Sequence, residues 1–136
     1  MEEYTTHSEN ETKALGAVMA GRLKKGAVVA LSGDLGVGKT MFVKGIAEGL
    51  GIIEPILSPT FTLLRQYPGL NHFDVYRIDD PQELAEIGFE EFLEDEALTV
   101  IEWAELIDEL LPKDIIQVTM TRGTDEDTRM ITIEGV

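Results

Sequence analysis

The run Gly33-Asp34-Leu35-Gly36-Val37-Gly38-Lys39-Thr40 fits the phosphate-binding pattern G-x-x-x-x-G-K-[ST] at every fixed position. Its flanks make it more than a short match. An apolar strand-like run, Ala27-Val28-Val29-Ala30-Leu31, stands immediately before it, and a helix-like stretch from Met41 to Leu50 follows at once. Glycines let the backbone curl so that successive N–H groups point inward, and the helix N-terminus adds its partial positive charge. In such a cradle Lys39 reaches the β- and γ-phosphates and the Thr40 hydroxyl ligates magnesium. Gly33, Asp34, Leu35, Gly36, Val37, Gly38, Lys39 and Thr40 are therefore the expected binding residues for a nucleoside triphosphate.

The rest of the chain reads as α/β. Ser8 followed by Glu11 is a capping box that opens a helix through about Arg22, with Leu15, Val18, Met19 and Leu23 at helical spacing. After the loop, a helix over 39–50 is closed by Gly49 and Gly51. Ser58-Pro59-Thr60 leads into a strand from Phe61 to Tyr67, Pro68-Gly69 marks a turn, and Asn71 to Ile78 alternates as a second strand antiparallel to the first. Pro81 begins short acidic helices reaching about Glu94. Leu98 to Ile101 is a buried strand ending at Glu102, and a short helix runs from Ala104 to about Leu110. Ile115 to Thr121 and Thr128 to Ile133 form a hairpin across a polar turn. The 136 residues are expected to be one domain, 1–136, with no repeat, linker or low-complexity tract.

Composition removes several classes of function. Without cysteine there is no disulfide, thiolate metal site or cysteine nucleophile. No stretch approaches 18 consecutive apolar residues, and the N-terminus lacks the pattern of a signal peptide, so a cytoplasmic protein with no membrane partner is expected. The formal net charge is −15, and from Ile78 to Leu111 thirteen acids occur without one Lys or Arg. Such a surface repels phosphate backbones, which argues against tight RNA or DNA binding by the chain alone. It reads either as a solubilising face or as a docking surface for a basic partner.

Hydrolysis needs a further acid, at the end of a buried strand beside the loop. Glu102 ends the run Leu98 to Ile101, which is the expected shape. Asp74 is a second candidate: alternation sets Phe73 and Val75 on one strand face and His72, Asp74 and Tyr76 on the other. A plain alternative for Asp74 is pairing with Arg77 or a backbone amide. His7 and His72 are too few for a histidine metal site and read as structural or exposed. Trp103 reads as core packing or as a gate beside the nucleotide. Thr60 lies either in a switch-like loop sensing the γ-phosphate or in a rigid turn.

Neither [NT]-K-x-D nor D-x-x-G, the guanine-reading and γ-phosphate-sensing elements of GTPases, is present, which favours adenine. The dinucleotide fingerprint G-x-G-x-x-G fails at Met41. Only Arg122 and Arg129 follow the acidic stretch, few for the arginine-bearing lid of a small-molecule kinase.

Gly33 to Thr40, Ser58-Pro59-Thr60-Phe61-Thr62, His72-Phe73-Asp74-Val75-Tyr76-Arg77 and Ile101-Glu102-Trp103, in this order, resemble the bacterial TsaE (YjeE) family of ATPases. The resemblance runs from about Ser8 to the C-terminus and implies a P-loop NTPase-like three-layer fold with a mixed parallel/antiparallel sheet. It implies an ATP-binding and ATP-hydrolysing subunit for threonylcarbamoyladenosine modification of tRNA. Such a subunit acts with the transferase pair TsaB and TsaD and meets tRNA only through that complex. By the same matching, Thr40 and Glu102 are magnesium ligands, Lys39 the phosphate lysine, Asp74 a participant in hydrolysis, and Thr60 part of a switch-like loop. The cofactors implied are ATP and Mg²⁺, with activity weak alone and stimulated by the partners. The alternatives are a P-loop phosphotransferase acting on a small metabolite and a nucleotide-sensing adaptor that scarcely turns over.

Overall fold

Seven strands form one mixed sheet in a computed structural model that describes residues 1–34, 36–57, 63–94 and 96–136. In chain order the elements are β1 (Glu2–Thr6), α1 (Glu9–Ala20), β2 (Val28–Ser32), α2 (Lys39–Gly49), β3 (Leu64–Tyr67), β4 (Leu70–Asp74), α3 (Gln82–Glu86), α4 (Phe89–Leu93), β5 (Leu98–Glu102), a 3₁₀ segment (Ala104–Leu110), β6 (Ile116–Arg122) and β7 (Arg129–Glu134). The sheet order is β1-β7-β6-β2-β5-β4-β3. β6, β2, β5 and β4 run parallel, while β7 and β1 on one side and β3 on the other are antiparallel additions. This is the mixed α/β sheet expected from the sequence.

The central strand explains the layering. β2 is apolar at four successive positions because both its faces are covered. Val29 and Leu31 enter a core made with Met19 and Ala20 of α1 and Phe42, Val43 and Ile46 of α2. Val28 and Ala30 enter the opposite core, with Leu84 of α3, Phe89 of α4, and Ala104 and Ile107 of the 3₁₀ segment. Helices thus lie on both faces of the sheet, the three layers the resemblance implied. Phe73 of β4 ties α4 down through edge-on ring contacts to Phe89 at 5.1 Å and Phe92 at 5.8 Å.

α1 serves α2, the helix that carries the phosphate loop. Ser8 caps α1 by accepting the Glu11 N–H at 3.1 Å, as the capping box predicts. The two helices touch backbone to backbone: a Cβ on Gly45 would lie 1.9 Å from the Lys13 carbonyl oxygen.

Several expectations change in detail. β1 was not foreseen; it exists by pairing with β7, from Glu2 opposite Ile133 to Thr6 opposite Arg129. Val18 lies on the outer face of α1 and is 64% exposed. The strand expected over 71–78 ends at Asp74, because the Val75 N–H donates to the Glu102 carbonyl and the chain turns so that the Ile78 N–H reaches the Val75 carbonyl. The strand expected over 61–67 is present as β3 over 64–67; residues 61 and 62 lie outside the described set. No helix among the described residues is long and apolar enough to cross a membrane.

Candidate functional site

The site gathers at the C-terminal ends of the parallel strands, where ligands of open α/β sheets bind. β2 ends at Ser32, the loop 33–38 follows, and α2 begins at Lys39. Gly38 is the N-cap of α2 with φ 103°, a left-handed backbone that a side chain would strain. A glycine cap offers no side-chain acceptor, so the amides of the first helical turn are left for a ligand.

Lys39 is buried to 5% relative exposure. Its ammonium donates to the Gly33 carbonyl at 2.6 Å and lies 3.6 Å from the centre of the Trp103 ring. Burial holds its pKa below the ordinary lysine value, against the opposing pull of Glu102, Glu105, Asp74 and Asp34.

Two of these carboxylates come from neighbouring strand ends. In the β4–β5 pairing Asp74 is directly opposite Glu102, and Leu31 of β2 pairs with Glu102 from the other side. Both candidate acids thus sit beside the start of the phosphate loop. Asp74 is half-buried, and desolvation lifts its pKa above the ordinary carboxylate value; the Tyr76 N–H it accepts at 3.0 Å works the other way, while nearby Glu102 adds to the rise. Glu102 is buried and its Oε2 accepts the Nε2–H of His72 at 2.6 Å. Glu105 at the start of the 3₁₀ segment accepts the Ser32 hydroxyl at 3.0 Å.

Trp103 takes the packing role expected of it and also contacts the phosphate lysine. It packs against the second core, and the same ring covers Lys39, with the Tyr76 ring tilted against it at a centroid distance of 4.7 Å. It is also the one non-glycine residue with positive φ, 63°, among the described residues. Leu35 and Thr60 lie outside the described residues.

Among the described residues no group of three or more His, Asp or Glu side chains is gathered closely enough to hold a metal ion by itself. Thr40 and Glu102 carry hard oxygen donors of the kind magnesium takes, an ion that would keep water and share phosphate oxygens rather than need an all-protein cage.

Three residues take places that sequence reasoning did not give them. His72, read as structural or exposed, is fully buried and bonded to Glu102. Arginine also reaches the loop after all: Arg129 of β7 donates its Nε–H to the Val37 carbonyl at 2.8 Å, and Arg122 lies against Gly36. The alternation around Asp74 already put His72 on the face of the candidate acid, but the 92 residues between Val37 and Arg129 left no local signal.

Comparison with known proteins gives the family. The family described as "Threonylcarbamoyl adenosine biosynthesis protein TsaE" matches residues 6–131. The chain is 42% identical over 138 residues to the tRNA threonylcarbamoyladenosine biosynthesis protein TsaE of Bacillus subtilis, covering 98% of this chain and 85% of that one. Against the protein of the same name from Treponema pallidum it is 41% identical over 131 residues, covering 94% and 96%. A crystal structure of YdiB from Bacillus subtilis matches with a TM-score of 0.84 at 37% identity, covering 97% of this chain and 83% of that chain. With matches over nearly its whole length in both sequence and fold, this chain belongs to the TsaE family.

Proposed function

We propose that this chain is a magnesium-dependent ATPase serving the threonylcarbamoyladenosine modification of tRNA, acting with a TsaB–TsaD transferase pair. The observation that carries the chemistry is the register that sets Asp74 opposite Glu102, beside the strand that leads into the glycine-capped loop and Lys39. The pathway is the one for which the TsaE relatives are named.

Each residue has a physical task in this reading. The loop amides and Lys39 bind the β- and γ-phosphates and neutralise charge that grows during phosphoryl transfer. Thr40 and Glu102 hold the magnesium ion, which when bound withdraws charge from the phosphate oxygens. Asp74, whose desolvated carboxylate attracts a proton more than an ordinary one, orients the attacking water and accepts its proton as the bond to the γ-phosphorus forms. ADP leaves as the bond to the bridging oxygen breaks. Trp103, with Tyr76 behind it, is the side chain that must yield Lys39 to phosphate.

The exposed acids of α3, α4 and the turn after them, including Glu83, Glu86, Glu90, Glu91, Glu94 and Glu96, disfavour direct tRNA capture and suit a basic protein partner. Incubation with γ-labelled ATP tests the reaction. Label released as free phosphate, faster with the partner pair, supports it; label transferred to a small acceptor supports a phosphotransferase instead.

A further inference from the structure

His72 stands in the middle of β4, and its ring has no solvent exposure. The strand pairing sets Asp74 opposite Glu102 and His72 opposite Val100. His72 therefore shares a sheet face with both acids, one step back from the strand ends. From there its Nε2–H reaches Glu102 Oε2 at 2.6 Å, with side-chain exposures of 0% and 5%. Its other ring nitrogen, Nδ1, is buried with no hydrogen-bond partner among the described residues.

Stability does not account for this pair. A buried polar group that lacks a partner is costly, and a buried acid–base pair is often replaced by apolar residues at no loss. A histidine kept for the core would satisfy both nitrogens. Among the described residues, this one makes its one side-chain hydrogen bond to a carboxylate at the end of the next strand.

We propose that His72 is a positioning residue: its N–H fixes one oxygen of Glu102, so that the other is presented to the divalent cation beside Thr40. This deepens the proposed function and rests on the reading of Glu102 as a metal-holding residue. A carboxylate that binds a metal through one oxygen needs its second oxygen held, or the side chain samples rotamers that miss the ion.

The test uses Mn²⁺ as the probe and the full chain. Free Mn²⁺ is followed by electron paramagnetic resonance during titration into ADP-saturated protein, and ADP affinity is measured separately in EDTA. His72→Leu and His72→Asn, whose amide falls short of Glu102, are expected to weaken Mn²⁺ binding about 10–100-fold. ADP affinity in EDTA should stay within about twofold of the parent, since the loop amides and Lys39 are untouched. His72→Gln, which carries an N–H to about the same reach, should recover Mn²⁺ affinity to within about threefold. Parent-like Mn²⁺ affinity in His72→Leu and His72→Asn would overturn the proposal, as would equal losses of Mn²⁺ and ADP binding, which mark a merely structural role. Glu102→Gln separates the two layers of the argument. If it weakens Mn²⁺ binding while His72→Leu and His72→Asn do not, the positioning role alone is wrong; if it leaves Mn²⁺ binding unchanged, the metal reading of Glu102 falls and the role of His72 with it.

Discussion

The Lys39 ammonium lies 3.6 Å from the centre of the Trp103 ring, in a cation–π contact that shares the lysine with the Gly33 carbonyl. A phosphate oxygen that binds Lys39 competes with both contacts. Trp103 is the sole tryptophan of the chain, so its emission reports the competition. Addition of Mg-ADP is predicted to change that emission, and the change should disappear in Lys39→Ala.

Trp103→Leu removes a cation–π contact worth about 0.5–2 kcal/mol. If the ring only covers the lysine, ADP affinity should hold or rise, by no more than about thirtyfold. A clear loss of ADP affinity, read by calorimetry, would instead make the ring a contact of the nucleotide.

Lys39→Ala and Thr40→Ala are each predicted to weaken Mg-ATP binding by about 1.5–3 kcal/mol, the range for hydrogen bonds to charged groups. The two should differ in one respect. Loss of Lys39 should weaken binding with and without magnesium, whereas loss of Thr40 should matter only when magnesium is present. Equilibrium binding in magnesium and in EDTA distinguishes them.

Asp74→Asn keeps an oxygen to accept the Tyr76 N–H but removes the charge. Hydrolysis is predicted to fall about 10²–10⁴-fold, the usual contribution of a positioned base, with ATP affinity little changed. The same variant tests the electrostatics of the fold. Because the native pKa of Asp74 is raised, the native state holds this proton more tightly than the unfolded chain. The resulting stability is fully present below the ordinary carboxylate value and is lost as pH rises through the raised native value. Asp74→Asn should therefore melt higher than the parent at neutral pH, and the difference should vanish at the acid end of the series. A lower melting point at neutral pH would contradict the desolvation account.

Gly45→Ala is predicted to destabilise the chain by about 1–3 kcal/mol or more, because the added methyl meets the Lys13 carbonyl and forces α1 away from α2. Chemical denaturation measures this directly. Since α2 carries the loop, nucleotide affinity should drop in the same variant.

Legibility in the sequence followed the range of the forces involved. The loop 33–40, the capped α1, the buried β5 and the hairpin of β6 and β7 rest on local patterns, so their places could be read from neighbouring residues. β1 could not: Glu2-Glu3-Tyr4-Thr5-Thr6 has no strong apolar alternation, and its strand state comes from pairing with residues 129–133. Glu102 was readable as a strand-end candidate and Asp74 as an acid within a longer strand, but their juxtaposition depends on the parallel register of β4 on β5, which no local pattern encodes. The bond from His72 to Glu102 and that from Arg129 to Val37 depend on the same kind of long-range register. Histidine in an alternating strand looks like an ordinary polar residue until its partner thirty positions away is placed beside it.

The central claim is that the chain hydrolyses ATP in the service of a partner assembly. Steady-state phosphate release from Mg-ATP, with the chain alone and with a TsaB–TsaD pair, tests it most directly. The account predicts slow release alone and at least about tenfold faster release with the pair, since charge on the transferring phosphoryl group can be stabilised in trans. Lys39→Ala and Glu102→Gln should abolish the stimulated rate. An unchanged rate on adding the pair, or label found on a small acceptor rather than in free phosphate, would contradict it.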